Sequence, residues 1–201
     1  MKKVIVGWVL IFGLYASLLA QGDYVSEIRA FQHELNKEYK DPKTSPLSSR
    51  DRKKFESHEF FTIDNKYRIN AKFKPHHGLT ETIHMETSSG MKAKYDKFGI
   101  VEFELDGQVH QLTVYQSHRL REMEEYKDHL FLPFTDMTSG DDSYGAGRYL
   151  DLIIPDGDQI ILDFNKAYNP YCAYSEGYSC PIPPSENNLQ VRIESGIKYK
   201  Y

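Results

Sequence analysis

The sequence predicts a mainly β protein, an antiparallel sandwich or partly open barrel with an N-terminal helical arm. Three observations lead there. From Phe60 onward, apolar residues recur at every second position: Tyr67, Ile69, Ala71 and Phe73, then Ile83, Met85 and Thr87. That is the period of a half-buried strand. Val101, Phe103 and Leu105 run into Asp106-Gly107 and out again through Val109 to Tyr115, the strongest hairpin signal in the chain. There is no internal repeat and no alternation of strand with long helix, so a parallel sheet is not indicated.

Residues 1–20 read as a cleavable signal peptide, 21–58 as the helical arm and 59–201 as the β-rich domain. Lys2 and Lys3 precede an apolar run from Val4 to Leu14, and a less apolar stretch continues to Ala20. The competing reading is an uncleaved anchor. The stretch is at the short edge of the roughly 17–25 residues that span a bilayer, and small residues cluster at Ala20 and Gly22 where a peptidase would cut. Export is therefore expected, to a periplasm or the exterior. No later segment is apolar enough to cross a membrane.

Asp23 is the expected N-cap of a helix carrying Val25, Ile28, Phe31, Leu35 and Tyr39 on one face, ending at Asp41-Pro42. A polar linker, Lys43 to Ser49, leads to a short helix capped by Ser48-x-x-Asp51 and anchored by Phe55. Beyond the hairpin, Ser117 to His129 reads as a short helix or a mobile loop. Its charge run, Arg119 to Lys127, reads as a solvated helical face with Arg121–Glu125 and Glu124–Asp128 at i, i+4 spacing. Further strands are expected at Leu130–Phe134, Tyr149–Ile154, Gln159–Phe164 and Leu189–Glu194.

The chain has a formal charge of −4, and loss of Lys2 and Lys3 takes it to −6. A mildly acidic domain is a poor partner for nucleic acid or an anionic membrane. No cofactor motif is present. With 15 Tyr and 11 Phe against one Trp, the chain is rich in rings that suit strands and line sugar sites alike.

Cys172 and Cys180 are the only cysteines. Downstream of an export signal they read as a disulfide, which closing so short a loop makes worth about 2.5 kcal/mol. A redox or metal pair would want CxxC spacing or a nearby His, and neither is present. His76, His77 and His84 flank an expected turn, but adjacent histidines on a strand face opposite ways, so exposed loop histidines are expected rather than a metal site. Tyr144-Gly145-Ala146-Gly147-Arg148-Tyr149 places its glycines before a strand, where a tight turn and not a phosphate cradle is expected. Arg148 beside aromatic rings suits a carboxylate or a stacking partner.

The richest stretch runs from Asp163-Phe164-Asn165-Lys166-Ala167-Tyr168-Asn169-Pro170 through Tyr174 to Cys180-Pro181-Ile182-Pro183-Pro184-Ser185-Glu186-Asn187. Its four prolines and cysteine pair favour an ordered loop. Two readings stand: its polar side chains satisfy the loop's own backbone, or they converge on a ligand.

These stretches, together with Phe131-Leu132-Pro133-Phe134-Thr135-Asp136 and Tyr144 to Asp151, carry a resemblance. The chain resembles, from roughly Phe31 to Ile197, the family catalogued as domain of unknown function 1684. The resemblance implies no activity, substrate or cofactor, but it marks Tyr144–Asn187 as the family's hallmark.

The sequence thus points first to an exported binding module. It would take a small polar ligand or sugar, a free small molecule or a glycan, beside the 163–187 loop. The ligand-binding candidates are Arg148, Asp163, Asn165, Tyr168, Asn169, Tyr174, Glu186 and Asn187. The alternatives are a hydrolase using Asp163 or Glu186 as general acid or base near Arg148, and an interaction protein without a pocket. Thiol titration of denatured, unreduced protein is expected to find no free thiol; two reactive thiols would refute the disulfide.

Overall fold

The structure, a computed structural model, describes residues 5–76 and 81–200, with residues 5–21 as backbone. The start of the expected signal, Met1 to Val4, and His77 of the histidine trio lie outside the described residues.

Seven antiparallel strands form one curled sheet, a half-barrel, preceded by one long helix. The strands are β1 (Arg68–Pro75), β2 (Thr82–Glu86), β3 (Lys92–Leu105), β4 (Gln108–Ser117), β5 (His129–Phe134), β6 (Arg148–Ile153) and β7 (Gln159–Asp163). The order along the sheet is β6-β5-β4-β3-β1-β7, with β2 also on β3. The path ends in β6 and β7, which Ile154 to Asp158 connects without a ladder between them. The half-barrel therefore stays open along one seam.

The expected hairpin is the spine of the sheet. Asp106 and Gly107 both take positive φ, 53° and 75°, the two-residue turn that matches strand twist. Ten residue pairs of β3 and β4 face each other, from Tyr95↔Ser117 to Leu105↔Gln108. One irregularity interrupts them: Lys97 pairs with Tyr115 and Gly99 with Val114, leaving Phe98 as an extra residue on β3. A one-residue insertion exchanges the two faces of a strand. Before the bulge, Tyr95 lies on the outer aromatic face; after it, Val101, Phe103 and Leu105 point into the main core. Gly99 is required here, since a Cβ would meet the Lys74 carbonyl oxygen and the Phe73 ring at 2.8 Å. The bulge also divides the partners of β3, with β2 along Lys92–Asp96 and β1 along Gly99–Glu102.

Two apolar clusters result. The main core fills the inside of the curl, with Val101, Phe103, Leu112, Val114, Leu130, Leu132, Phe134, Leu150, Leu162 and Phe164. On the opposite face Met85, Tyr95, Tyr115, Phe131 and Tyr149 form an aromatic layer. The irregular chain after β7 is tied to it, because the Tyr149 hydroxyl donates to the Pro181 carbonyl and the Thr87 segment bridges to Pro181.

The helix α1 (Ile5–Lys40) runs unbroken through Asp23, so Asp23 is an interior position and not the expected N-cap. Nothing between residues 5 and 40 interrupts the i→i+4 ladder, as no proline occurs there. The helix ends where Asp41-Pro42 requires. Among its described side chains, Tyr24, Ile28 and Tyr39 are buried. Ser48 caps α2 (Ser49–Arg52) as expected, accepting from the Asp51 N–H at 3.1 Å. No helix of the described residues is long and apolar enough to cross a membrane.

Two expected elements differ. Residues 117–129 hold two short 3₁₀ turns, Leu120–Glu122 and Glu124–Tyr126, in place of an α-helix. Arg121 does not pair along a helix with Glu125; it reaches across to Asp96 of β3, a partner that helical spacing could not supply. Residues 189–194 form no strand. Their backbone reaches Thr135 and Met137 through single bonds, from the Leu189 N–H to Thr135 and from the Met137 N–H to Val191, and the Ile193 carbonyl serves another purpose described below.

Tyr39 carries the docking of α1. Its ring meets the imidazole of His58 edge-on at 4.3 Å and that of Tyr174 at 5.2 Å, with Phe55 alongside at 5.7 Å. His58 is buried, and its Nε2 has no partner. Burial pulls its pKa from 6.5 down to about 4, so the cage accepts only the neutral ring. A depressed histidine makes a contribution that is complete above pH 6.5 and lost as the pH falls toward 4, because the unfolded chain binds the proton first. The loss expected in urea unfolding is roughly 3 kcal/mol between pH 7 and pH 4. In His58→Phe this part of the slope should vanish; identical slopes in the two proteins would show that His58 is not the group responsible.

Candidate functional site

The eight residues singled out in the sequence fall into separate networks rather than one cleft. Arg148 begins β6 at one end of the half-barrel and is 0% exposed. One of its terminal nitrogens donates to Asp136 at 2.6 Å, to the Ile193 carbonyl at 2.8 Å and to Thr138 Oγ1 at 3.3 Å. The other donates to the Ser195 carbonyl at 2.5 Å and the Ile197 carbonyl at 3.3 Å. The rings of Phe134 and Phe61 flank the guanidinium at 5.4 and 5.8 Å. The carbonyls of Ile193, Ser195 and Ile197 are thus gathered onto one cation and are not free for a neighbouring strand. Gly147, at φ +94°, lets the chain enter β6 beneath Phe134, whose carbonyl oxygen would lie 2.5 Å from a Cβ.

Asp163 and Asn165 form a second network at the α1 junction. Asp163 accepts from the Tyr24 hydroxyl at 2.9 Å and from the Asn165 N–H at 3.1 Å. The Asn165 amide accepts from the Asp64 N–H and donates to Tyr24 and to the Asp64 carbonyl. Burial, then the bond to Asp163, pushes the Tyr24 phenol up. Tyr168 donates to Asp151 at 2.9 Å, and its backbone pairs with Tyr149 at the edge of β6. Asn169 donates to the Tyr174 hydroxyl at 2.7 Å.

Asn187 repairs the sheet. β5 carries Pro133, which has no N–H to give β4, and the two strands share only the pair Tyr115↔Phe131. The Asn187 amide fills the gap: its oxygen accepts from the Thr113 N–H at 2.8 Å, and its nitrogen donates to the carbonyls of Thr113 at 2.8 Å and Pro133 at 2.7 Å. Glu186, beside it, accepts from the Tyr115 hydroxyl at 2.9 Å and pairs with Lys97 at 3.4 Å. No hydrogen bond or ion pair among the described residues joins Arg148 to Asp163 or Glu186, the arrangement a general acid or base beside that arginine would need. The loop is pinned by the Cys172–Cys180 disulfide, with Cα atoms 6.2 Å apart, and by Ser88, which accepts from the Cys180 N–H at 3.0 Å.

A different set of residues surrounds open space. At the other end of the half-barrel, a cleft of about 600 Å³ is lined by Phe73, Pro75, His76, Asp96, Phe98, Gln116, Arg121 and the turn Ile154–Asp158. The bulge creates it. Asp96 and Gln116 are opposite each other in the β3–β4 ladder, on the side that becomes apolar core one turn of the sheet later. Phe98, the extra residue, stacks on Phe73 at 6.2 Å with an angle of 14° between the rings. Asp96 is the centre of the polar wall. It takes His118 Nε2 at 2.7 Å, the Thr82 hydroxyl at 2.5 Å and Arg121 at 2.5 Å. Burial alone would raise this carboxyl, but the bonds from His118, Thr82 and Arg121 outweigh it and hold its pKa at about 2. An ionised carboxylate only accepts, so His118 carries its proton on Nε2 toward Asp96. Arg121 Nη2 lies 3.4 Å from His118 Nδ1.

Sequence periodicity missed this wall because a one-residue bulge reverses which residues face inward. The cue was present, in that Asp96 falls out of phase with Val101 and Phe103 on either side of Gly99. Among the described residues no group of three or more His, Cys, Asp or Glu is arranged to hold a metal ion.

Asn187→Ala would strand three backbone groups at the β4–β5 gap. At about 1–3 kcal/mol for each unsatisfied buried group, a loss of at least about 3 kcal/mol is expected in denaturant unfolding. A cost below about 1 kcal/mol would mean that the amide does not bridge the strands.

A family model described as a protein of unknown function, DUF1684, matches residues 53–198. The solution NMR structure of the uncharacterized protein from gene locus rrnAC0354 of Haloarcula marismortui is 32% identical, covering 90% of this chain and 96% of that one at a TM-score of 0.68. No curated protein matches the chain. The match takes in all seven strands, the Arg148 network and Asn187: the chain belongs to the DUF1684 family.

Proposed function

We propose that the protein is an exported binding domain that holds a small polar ligand or sugar in the mouth of its half-barrel. One observation carries this reading: the bulge at Phe98 sets charged and amide groups, Asp96, Gln116 and Arg121, beside a stacked aromatic pair at the open end of the curl. Mouths of β-barrels are a recurrent place for small-molecule sites, where apolar walls combine with a few fixed polar groups. The mouth is preferred to the 163–187 loop because Asp163 and Asn165 are engaged with α1 and Asn187 with the β4–β5 gap, while the Asn169 amide nitrogen is engaged with Tyr174. Export rests on Lys2-Lys3, the apolar run after them and the cysteine pair.

A thermal-shift screen of the chain without residues 1–20 against metabolites and glycans tests the reading. A ligand at 100 times its Kd adds about 2.7 kcal/mol, which is a rise of roughly 5–10 °C for a domain of this size. The shift should be lost in Phe98→Ala and Arg121→Gln, and kept in Tyr168→Phe. The absence of any shift across the library would favour an interaction protein without a pocket, and a shift abolished only by Tyr168→Phe would return the site to the loop.

A further inference from the structure

The charges around the mouth are of two signs, and they come from different walls. On the β3–β4 side stands Arg121, whose guanidinium has five N–H donors. Two of its nitrogens point at Asp96 and His118, so part of its fork remains for a ligand. His76, exposed and without a side-chain hydrogen bond among the described residues, lines the same cleft. On the opposite wall, the turn from β6 to β7 brings Asp156 and Asp158, both exposed. Neither carboxylate has an ion pair or hydrogen bond among the described residues, whereas Asp96, Asp136 and Asp151 each have a cationic or imidazole partner. Between the walls lie the apolar surfaces of Phe98, Ile154 and Pro155.

We infer that the mouth binds a small zwitterion, a free amino acid or a short peptide, with its carboxylate on Arg121 and its ammonium on Asp156 and Asp158. This rests on the proposed binding function and names the ligand class for it. A neutral sugar would leave Asp156 and Asp158 without a counter-charge, and would offer no carboxylate to the N–H groups of Arg121 that Asp96 does not take. A plain anion would face the two unpaired carboxylates, and a plain cation would face Arg121. A zwitterion satisfies both walls at once and lays its apolar part on Phe98 and Pro155. Charged groups paired in this way discriminate strongly, because a ligand lacking one charge leaves a partner desolvated and unpaired.

Isothermal titration with the chain lacking residues 1–20 separates the outcomes. The probes are leucine, phenylalanine, ω-amino acids and dileucine, each beside its methyl ester, which lacks the carboxylate, and its N-acetyl derivative, which lacks the ammonium. The zwitterion that fits should bind at least 10-fold more tightly than either derivative. Asp156→Asn with Asp158→Asn, on an exposed turn, should leave the fold intact and abolish the preference over the N-acetyl form alone. Arg121→Gln should abolish the preference over the ester alone. If a neutral glycan binds at Phe98 and no zwitterion does, the binding function stands and the ligand class falls. Equal affinity for a zwitterion and both of its derivatives also overturns the ligand class. If neither zwitterions nor glycans bind, both fall.

Discussion

The closed end of the half-barrel is organised by the buried ion pair of Arg148 and Asp136. A guanidinium with no access to water needs partners for its donors, and here the two terminal nitrogens find one carboxylate, a threonine hydroxyl and the carbonyls of residues 193, 195 and 197. The constraint propagates from there. Asp136 follows β5, Arg148 starts β6, and the C-terminal segment runs alongside residues 135–137 before its carbonyls reach the cation. A segment whose carbonyls converge on one point cannot alternate them along a straight ladder, so the chain after Leu189 gives up strand geometry in exchange for closing the core.

The two ends of the curl therefore have different physics. At the Arg148 end the terminal nitrogens of the guanidinium are buried and answered by groups of the chain itself. At the other end a single inserted residue, Phe98, exchanges the faces of β3 and places Asp96 opposite Gln116 in a position that the core fills elsewhere. Asp96 remains ionised because three donors surround it, and that holds His118 and Arg121 in fixed orientations before any ligand arrives. One sheet thus carries a tightly buried end around Arg148 and a polar, accessible end around Asp96.

Much of the fold was legible in the residues. Alternation and turn signals located six of the seven strands to within a few positions, while β3, read from Val101, begins at Lys92 beyond the bulge; Asp106-Gly107 identified the hairpin around which they assemble. The helix stop at Asp41-Pro42 and the Ser48 cap follow from local rules that tertiary packing did not override. The eighth strand failed because Leu189 to Glu194 has strand-like composition, while its backbone is claimed by Thr135, Met137 and a distant arginine. The site was less legible for a related reason. Asn165, Asn169 and Asn187 looked like ligand groups because amides serve a backbone and a ligand through the same donors and acceptors. Only their partners distinguish the two uses, and the deciding ones are distant in sequence: Tyr24 and Asp64 for Asn165, Lys198 for Asn169, Thr113 and Pro133 for Asn187. Arg121 was hidden in a charge run whose spacing suited a helix that does not form.

The amide of Asn187 in the gap left by Pro133 has a consequence for how the chain folds. It joins positions 113, 133 and 187, so the seam between β4 and β5 is completed by a residue near the end of the chain. Contacts so distant in sequence are formed late, since loop-closure entropy must be overcome first. A chain emerging from its N-terminus has β1 to β5 in hand but lacks the rung that joins the two halves of the sheet. Without the Asn187 amide, β4 and β5 face each other only at Tyr115↔Phe131. A proline in a central strand thus makes the seam beside it depend on a side chain 54 residues further along the chain.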